Sequence, residues 1–592
     1  MPLNPAPPRA RQACRQARRV GCAADCTTTS ATTPTGSNMS ANGATHLVFI
    51  ETSANQAYIY ATNRLRENIG ASELTWRAGC RWPLAAAGLD PGGRSAEPQA
   101  LRDWLRGAPR ANGVEVVLAA SGKALLLVDA RSRAEAIVAE VSACAAREAP
   151  GLSVCGAIVE LSDRTDPKAC AKAMREVHER FETNRQAMAQ VRFAWLPYTV
   201  ACASSGLPAC GQQAGEFLSA PSLTKRTAAP AWFTRIRAVM RERTHDLFIT
   251  QSLDQLEDKF DDLTWVGLVF ADGNGLGQIM LRFDQWLQPD EDYFDALRRF
   301  SVELDEACER AFVRACDHLA GLGAVQQLAR GGRRLPLVPL ILGGDDLTVA
   351  LDGRYALPFT DQYLRAFEEE TGAQPTVSAI ARRALGAARL SAAAGIAIVK
   401  PHFPFHSAHD LAEGLLRSAK TVKRKVVRNG QPYPASALDF HLLLDAAYTG
   451  LETIRVHRMG AGGERLWGGP YVVTPLEELQ EVDDPTWARH HHLDRLRARV
   501  QALRARDEEG RRRLPNSQMH ALREALALGR TLADARLREF AWLRGQGLET
   551  LLEAEGSLFY CEDGVTATQF VDALTSVDYW GLRDDVDSAQ TD

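Results

Sequence analysis

The chain has 592 residues, 45% apolar and 24% charged, with 69 basic against 73 acidic side chains and a formal net charge of -4. That apolar content excludes a chain disordered throughout, and the near balance of charge excludes a polycation built to coat nucleic acid. No stretch approaches the ~18 uninterrupted apolar residues of a bilayer span, and the length suggests about three to five domains.

Residues 1–44 are poor in apolar side chains and rich in Pro, Thr, Ser and Arg. They read as a disordered tail or a mis-called start, with Met39 as the true first residue, and they lack the apolar stretch of a secretory signal. Residues 45–162 read as one α/β unit. A strand at His46–Ile50 precedes a helix over Gln56–Asn68. Apolar runs at Gly113–Ala120 and Ala124–Val128 are split by Ser121-Gly122-Lys123, a hairpin break. A helix over Arg133–Arg147 and a strand over Leu152–Leu161 follow. The order βαββαβ is ferredoxin-like.

Residues 163–258 read as a helical linker containing a Cys202–Cys210 loop. The 12 cysteines are otherwise scattered without a repeated C-x-x-C, the usage of a reducing cytoplasm with buried thiols. Cys202 and Cys210 have the spacing of half a zinc knuckle, but the next cysteine is Cys308.

Residues 259–475 repeat the first order. Thr264–Phe270 is a continuous apolar run, as in a central strand, and Glu291–Ala320 is helical. Leu337–Leu342 and Leu347–Leu351 bracket Gly343-Gly344-Asp345-Asp346. Helices are expected over Asp361–Glu370 and Val377–Ala387, a strand over Ala392–Val399 and a helix over His409–Val427. Apolar positions 412, 415, 416, 419 and 422 fit a helical period and leave Lys420, Lys423 and Arg424 near the open side. Residues 476–592 read as mainly helical, and 495–544 carry 13 Arg, no Lys and 6 acids, a basic subregion able to touch phosphate backbones. The fold class is therefore α+β: two ferredoxin-like units, a helical linker and a helical C-terminal domain.

Two segments carry chemistry: Ala271-Asp272-Gly273-Asn274-Gly275-Leu276-Gly277 and Gly343-Gly344-Asp345-Asp346, both at ends of apolar strands. In a βαββ unit the end of the first strand lies beside the hairpin joining the next two, so Asp272, Asp345 and Asp346 converge. Carboxylates gathered at one strand edge repel unless cations lie between them. Mg²⁺ suits hard oxygen ligands and substrate phosphates, with Mn²⁺ as the substitute, and two such ions would activate a hydroxyl and neutralise leaving pyrophosphate. Gly343 and Gly344 permit a tight turn and close approach of a nucleotide. Gly273, Asn274 and Gly275 belong to the strand-to-helix turn, where N–H groups could meet phosphate, and Lys420 and Lys423 could reach a triphosphate. A calcium loop fails because its twelfth position is Phe283. The first unit has Ser121-Gly122-Lys123 in place of the acidic hairpin, so a two-metal site cannot form there, and it reads as a scaffold or a pocket for a second nucleotide.

These residues resemble a known family. The second unit resembles the palm of GGDEF cyclases and, more closely, the second palm of the large polymerase-cyclase subunit of type III CRISPR effector complexes. The resemblance rests on Asp272–Gly277, Gly343–Leu347, Gly395–Pro404 followed by Ala412–Lys420, Ser436–Phe440 and Gly469-Pro470-Tyr471. Thr52–Ile59 and Arg64–Leu74 resemble the degenerate first palm. The resemblance implies a palm that joins ATP into cyclic oligoadenylates for antiviral defence, the 3′-hydroxyl attacking the α-phosphate at two Mg²⁺ ions. Asp272, Asp345 and Asp346 would then be catalytic metal ligands, Gly343 and Gly344 would line the nucleotide, and Lys420 would face its triphosphate. Guide or target RNA and small backbone subunits would be partners, with no membrane and a cytoplasmic location.

The sequence departs from the family in Asn274, where a second Asp is usual, and the family's frequent HD nuclease domain at the front is not expected. His409-Asp410 falls at a helix start, where Asp410 reads as a cap, and His490, His491 and His492 read as a surface cluster, so DNA cleavage is not expected. Two alternatives stay open: an RNA-binding scaffold subunit with a vestigial palm, and a GGDEF-like cyclase making a dinucleotide from GTP.

Overall fold

The computed structural model describes residues 45–581 apart from 90–96, 189–192, 194, 242–243, 245, 252–255, 257–262, 329–330, 445–449, 508, 545–550 and 554–555. The expectations for residues 1–44, Met39 included, lie outside the described residues. The fold is α+β with mixed sheets.

The first sheet begins with β1 (Thr45–Ser53), whose Leu47, Val48, Phe49 and Ile50 are all buried. Side chains alternate across a strand, so four consecutive buried residues mean that both faces of β1 are covered. The expected helix after it is interrupted. A single turn at Asn55–Ile59 is followed by α1 (Leu65–Gly79). A further helix, α2 (Pro98–Arg106), comes before β2 (Val114–Ala120), β3 (Lys123–Val128), α3 (Arg131–Glu148) and β4 (Ser153–Leu161). The sheet order is β2-β3-β1-β4, antiparallel throughout, with a short edge strand at Arg110–Ala111 on β2. This is the ferredoxin-like order.

The linking region opens with α4 (Pro167–Ala187). Asp166 caps it by accepting the N–H groups of Lys168 and Ala169, and proline stands in the first turn. A small hairpin of β5 (Gly211–Gln213) and β6 (Glu216–Leu218) follows, then α5 (Ala220–Arg241). Helix α5 is docked on the first unit, where Lys225 Nζ donates to the Tyr58 carbonyl at 2.5 Å and Arg226 pairs with buried Glu67 at 2.8 Å.

The second sheet is built from β7 (Val266–Gly273), α6 (Tyr293–Gly321), β8 (Leu337–Gly343), β9 (Asp346–Asp352), α7 (Ala356–Ala373), α8 (Pro375–Leu385), β10 (Ala392–Val399) and α9 (Phe405–Ala419). Its core order, β8-β9-β7-β10, repeats that of the first sheet. Two strands extend it beyond β10: β11 (Ala437–Leu442) lies parallel to β10, and β12 (Tyr471–Val472) lies antiparallel to β11. Every residue of β10 is buried, because α7 and α9 as well as the neighbouring strands cover it.

Helix α9 ends earlier than its apolar period suggests. It tightens at Lys420 into a 3₁₀ segment, Lys420–Arg424. The two units meet along α6, whose Arg298 donates to the Val116 carbonyl at 2.8 Å and pairs with fully buried Glu115 at 2.5 Å.

The C-terminal part combines the helices Pro485–His490, Leu493–Arg504, Asn516–Ala527, Arg530–Arg544 and Phe570–Ser576 with a hairpin of Tyr560–Glu562 and Val565–Ala567. Much of its arginine is used internally. Buried Arg499 pairs with Glu553, Arg497 with Asp361, and Arg495 with Glu553 at 2.5 Å. The histidine run is not a surface cluster. His491 and His492 are buried because each satisfies backbone or carboxylate partners: His491 meets Gly468 O at 2.9 Å and Glu562 at 3.1 Å, and His492 meets Thr474 O at 3.0 Å. No helix among the described residues is long and apolar enough to cross a membrane.

Candidate active site

The site lies where three strands of the second sheet end. On β7, Ala271 pairs with Leu347 of β9 on one side and Asp272 with Ala393 of β10 on the other. One step beyond the Ala271–Leu347 pair, the ladder brings Asp272 level with Asp346. Asp346 is also the first residue of β9 and pairs with Gly343 across a two-residue turn of Gly344 and Asp345. Gly344 sits at φ 65°, where a side chain would be strained. Asp345 can fold back onto β7 only because residue 273 has no side chain, since a Cβ there would fall 2.9 Å from Asp345 Cβ and 3.0 Å from its Oδ2.

The structure thus brings Asp272, Asp345 and Asp346 together, with one carboxylate oxygen from each lying within 4.8 Å of the others. Loss of surrounding water raises the Asp345 and Asp346 carboxyls above the ordinary range. The Asp345 charge raises Asp346 further, while the Lys123 ammonium opposes both shifts. Asp346 nevertheless keeps an open face. A donor set of three crowded hard oxygens fits a divalent cation, whose charge would favour the ionised form of these desolvated carboxyls.

Lys420 and Lys423 begin and nearly end the 3₁₀ segment after α9. Residues three apart eclipse in a 3₁₀ helix, so the two ammonium groups lie on one side. Lys420 is half-buried and forms an ion pair with Asp272. Desolvation and the neighbouring Lys423 both lower its pKa. Lys423 is exposed.

Asn274 turns away from the acidic set. Its Nδ2 donates to Ser391 Oγ at 3.2 Å and to the Ala435 carbonyl at 3.4 Å, and its N–H donates to the Ser391 carbonyl at 2.8 Å. It ties the end of β7 to the segments before β10 and β11. Gly275 precedes a helix of one and a half turns, Leu276–Leu281.

One residue of this corner was not singled out from the sequence. Asp305 of α6 accepts the Gly344 N–H on Oδ1 at 2.9 Å, and its Oδ2 lies 3.4 Å from Arg102 of α2. Its signal was faint, an acid inside a helix where Leu304 and Ala307 are buried.

The dyad His409-Asp410 is not at a cap. It lies in the second turn of α9, which has no side-chain cap, and Asp410 instead meets His409 Nδ1 at 3.2 Å. The His409 ring lies 4.1 Å from that of Tyr60 and 4.8 Å from that of Phe270, which buries it between the units. With Glu413, these two residues form the other group of closely spaced candidate ligands among the described residues. Cys202 and Cys210 belong to neither group. Cys202 is buried beside Ser204 and Ser222, and Cys210 is exposed.

Residues 265–428 match the family model described as Cas10/Cmr2, second palm domain. No curated protein matches the chain. Among solved structures the chain is similar to a Csm1–Csm4 cassette in complex with cA4, at 14% identity and TM-score 0.47, covering 91% of this chain and 70% of that one. It is also similar to the same cassette with AMPPNP and to Csm1 of T. onnurineus, each at 13% identity, TM-score 0.46 and the same coverage. The acidic turn lies within residues 265–428, the segment that matches the Cas10/Cmr2 second palm domain.

Proposed function

We propose that this palm joins nucleoside triphosphates, with ATP as the substrate, into cyclic oligoadenylate. The observation that carries this reading is the convergence of Asp272, Asp345 and Asp346 at one strand edge, beside Lys420. Such an acidic turn is harder to explain in a scaffold, since a turn needs no cluster of crowded carboxylates. The reaction forms a bond between a 3′-oxygen and an α-phosphorus and breaks the α–β phosphoanhydride, releasing pyrophosphate.

The three carboxylates would hold Mg²⁺, with Mn²⁺ as a substitute. Bound divalent cations neutralise phosphate charge and ease deprotonation of the attacking hydroxyl. The chain's own residues supply the positioning on which phosphoryl transfer depends. The β8–β9 turn presents Asp345 and Asp346, and β7 presents Asp272 opposite them. Gly343 and Gly344 leave the turn backbone open to a nucleotide, and Lys420 and Lys423 face its triphosphate. Guide or target RNA and smaller backbone subunits are the partners that accompany this reading, with the first unit holding the acceptor nucleotide.

Incubation of purified protein with labelled ATP or GTP and Mg²⁺, with and without RNA, tests it. Cyclic product from ATP that disappears in the Asp345→Ala/Asp346→Ala double variant, with the melting curve retained, supports the reading. Product surviving that change would place the chemistry elsewhere. A dinucleotide from GTP, or salt-sensitive RNA binding without turnover, would replace it with one of the two alternatives.

A further inference from the structure

The two sheets share a register as well as a strand order. In the second unit Gly343 pairs with Asp346 across the turn Gly344-Asp345, and Asp272 comes level with Asp346. In the first unit Ala120 pairs with Lys123 across the turn Ser121-Gly122, and Glu51 pairs with Lys123. Lys123 therefore holds the place of Asp346, and Glu51 that of Asp272. The Lys123 ammonium lies 3.0 Å from Glu51 Oε1. Where one unit gathers carboxylates, the other has built a cation of its own.

The two hairpins also abut. A Cβ placed on Gly343 would lie 3.6 Å from Ser121 Cβ. The Lys123 side chain is 53% exposed, which leaves its ammonium free to take a second partner beside Glu51. A pair this exposed contributes little to folding, so stability alone gives no reason for a lysine here.

We propose that Lys123 is a nucleotide-binding residue, its ammonium reaching across the seam between the units to hold a phosphate of the nucleoside triphosphate engaged at the second unit's acidic corner. The inference rests on the nucleotide reading of that corner and adds a phosphate contact from the other unit, one that requires no metal. Lysine suits the task as a compact charge with three donors on a flexible stem. The Glu51 pair keeps it oriented until phosphate competes for it.

The test measures ATP binding to the full chain by calorimetry, with Mg²⁺ and again with excess EDTA, alongside KM and kcat for ATP. Loss of one charge-assisted contact predicts that Lys123→Ala weakens ATP binding about tenfold in both conditions and raises KM while leaving kcat nearly unchanged. Lys123→Arg should recover most of the affinity. Glu51→Ala separates the proposal from a structural role, because it removes the same ion pair but keeps the ammonium. It should bind ATP at least as tightly as the wild type.

Unchanged ATP affinity in Lys123→Ala would overturn the proposal, as would Glu51→Ala falling as far as Lys123→Ala. Binding that depends on Lys123 without turnover would reject the synthetase reading and leave the phosphate contact standing. A wild-type chain that binds no ATP would reject both.

Discussion

The ammonium of Lys420 lies against the carboxylate of Asp272, so the β7 member of the acidic set is already paired with a cation that the chain supplies. A divalent ion and Lys420 then compete for one carboxylate. If phosphate draws Lys420 off Asp272, nucleotide and metal binding favour each other. Lys420→Ala is therefore expected to bind Mn²⁺ several-fold more tightly, since a competing cation is gone, and to use ATP less well, with KM raised about tenfold for a lost charge-assisted contact. Manganese titration by electron paramagnetic resonance and steady-state kinetics read the two effects separately. Equal Mn²⁺ affinity in variant and wild type would show that the pair does not gate the site.

A second prediction concerns Gly273, against which Asp345 is folded. A methyl group there would meet Asp345 Cβ at 2.9 Å, so Gly273→Ala must move the turn or the carboxylate. Turnover should fall at least tenfold while the melting temperature drops by no more than a few degrees, because the displaced group is at a strand end and not in the core. Gly277→Ala is the control. Nothing lies within 4 Å of a Cβ at that position, and alanine suits a helix better than glycine by about 0.5–1 kcal/mol. Equal activity losses in both variants would mean that the loop tolerates no change, whatever the contact with Asp345.

The strands around the site were legible because burial on both faces writes itself as an unbroken apolar run, as in Ala392–Val399. The site was legible because aspartates at the ends of such runs stand out. What the sequence hides is pairing over distance. Strand β11 contains Asp439, a buried acid that lowers the strand signal, and the partner that makes it tolerable is Arg455, 2.7 Å away on a later helix. His490–His492 misled for the same reason, their partners lying at Gly468, Thr474 and Glu562. The early end of α9 has a different cause. Apolar spacing continues to Val422, which is buried, but a 3₁₀ turn can also carry it inward.

Asp305 offers a third test, reaching the acidic turn from behind. Asp305→Ala removes the acceptor of the Gly344 N–H and leaves that part-buried donor without this partner, at a cost of about 1–3 kcal/mol. Asp305→Asn keeps an oxygen for the N–H but loses the charge facing Arg102. If the N–H contact holds the turn in shape, Asp305→Ala should reduce turnover about tenfold or more, and Asp305→Asn should retain most of it. Chemical denaturation and ATP turnover, measured side by side, distinguish a weakened fold from a displaced turn. Comparable turnover in Asp305→Ala and wild type would sink the idea.

Two histidines set an acid limit on stability. His441 on β11 and His490 are both pushed down to about 3, first by loss of surrounding water and then by nearby arginines, Arg458 and Arg455 for His441 and Arg495 for His490. Both are neutral in the native chain at neutral pH. An unfolded histidine takes up its proton near pH ~6.5, so below that value the unfolded state binds more protons than the native one. The contribution of these two groups is therefore constant above pH ~6.5 and is lost as pH drops from there toward about 3, by at most about 1.4 kcal/mol per pH unit for each group. In His441→Gln/His490→Gln neither state titrates at these positions, and the acid slope should be shallower than in the wild type. Thermal melts between pH 8 and pH 5 measure that slope. Parallel curves for the two proteins would assign the acid sensitivity to other groups.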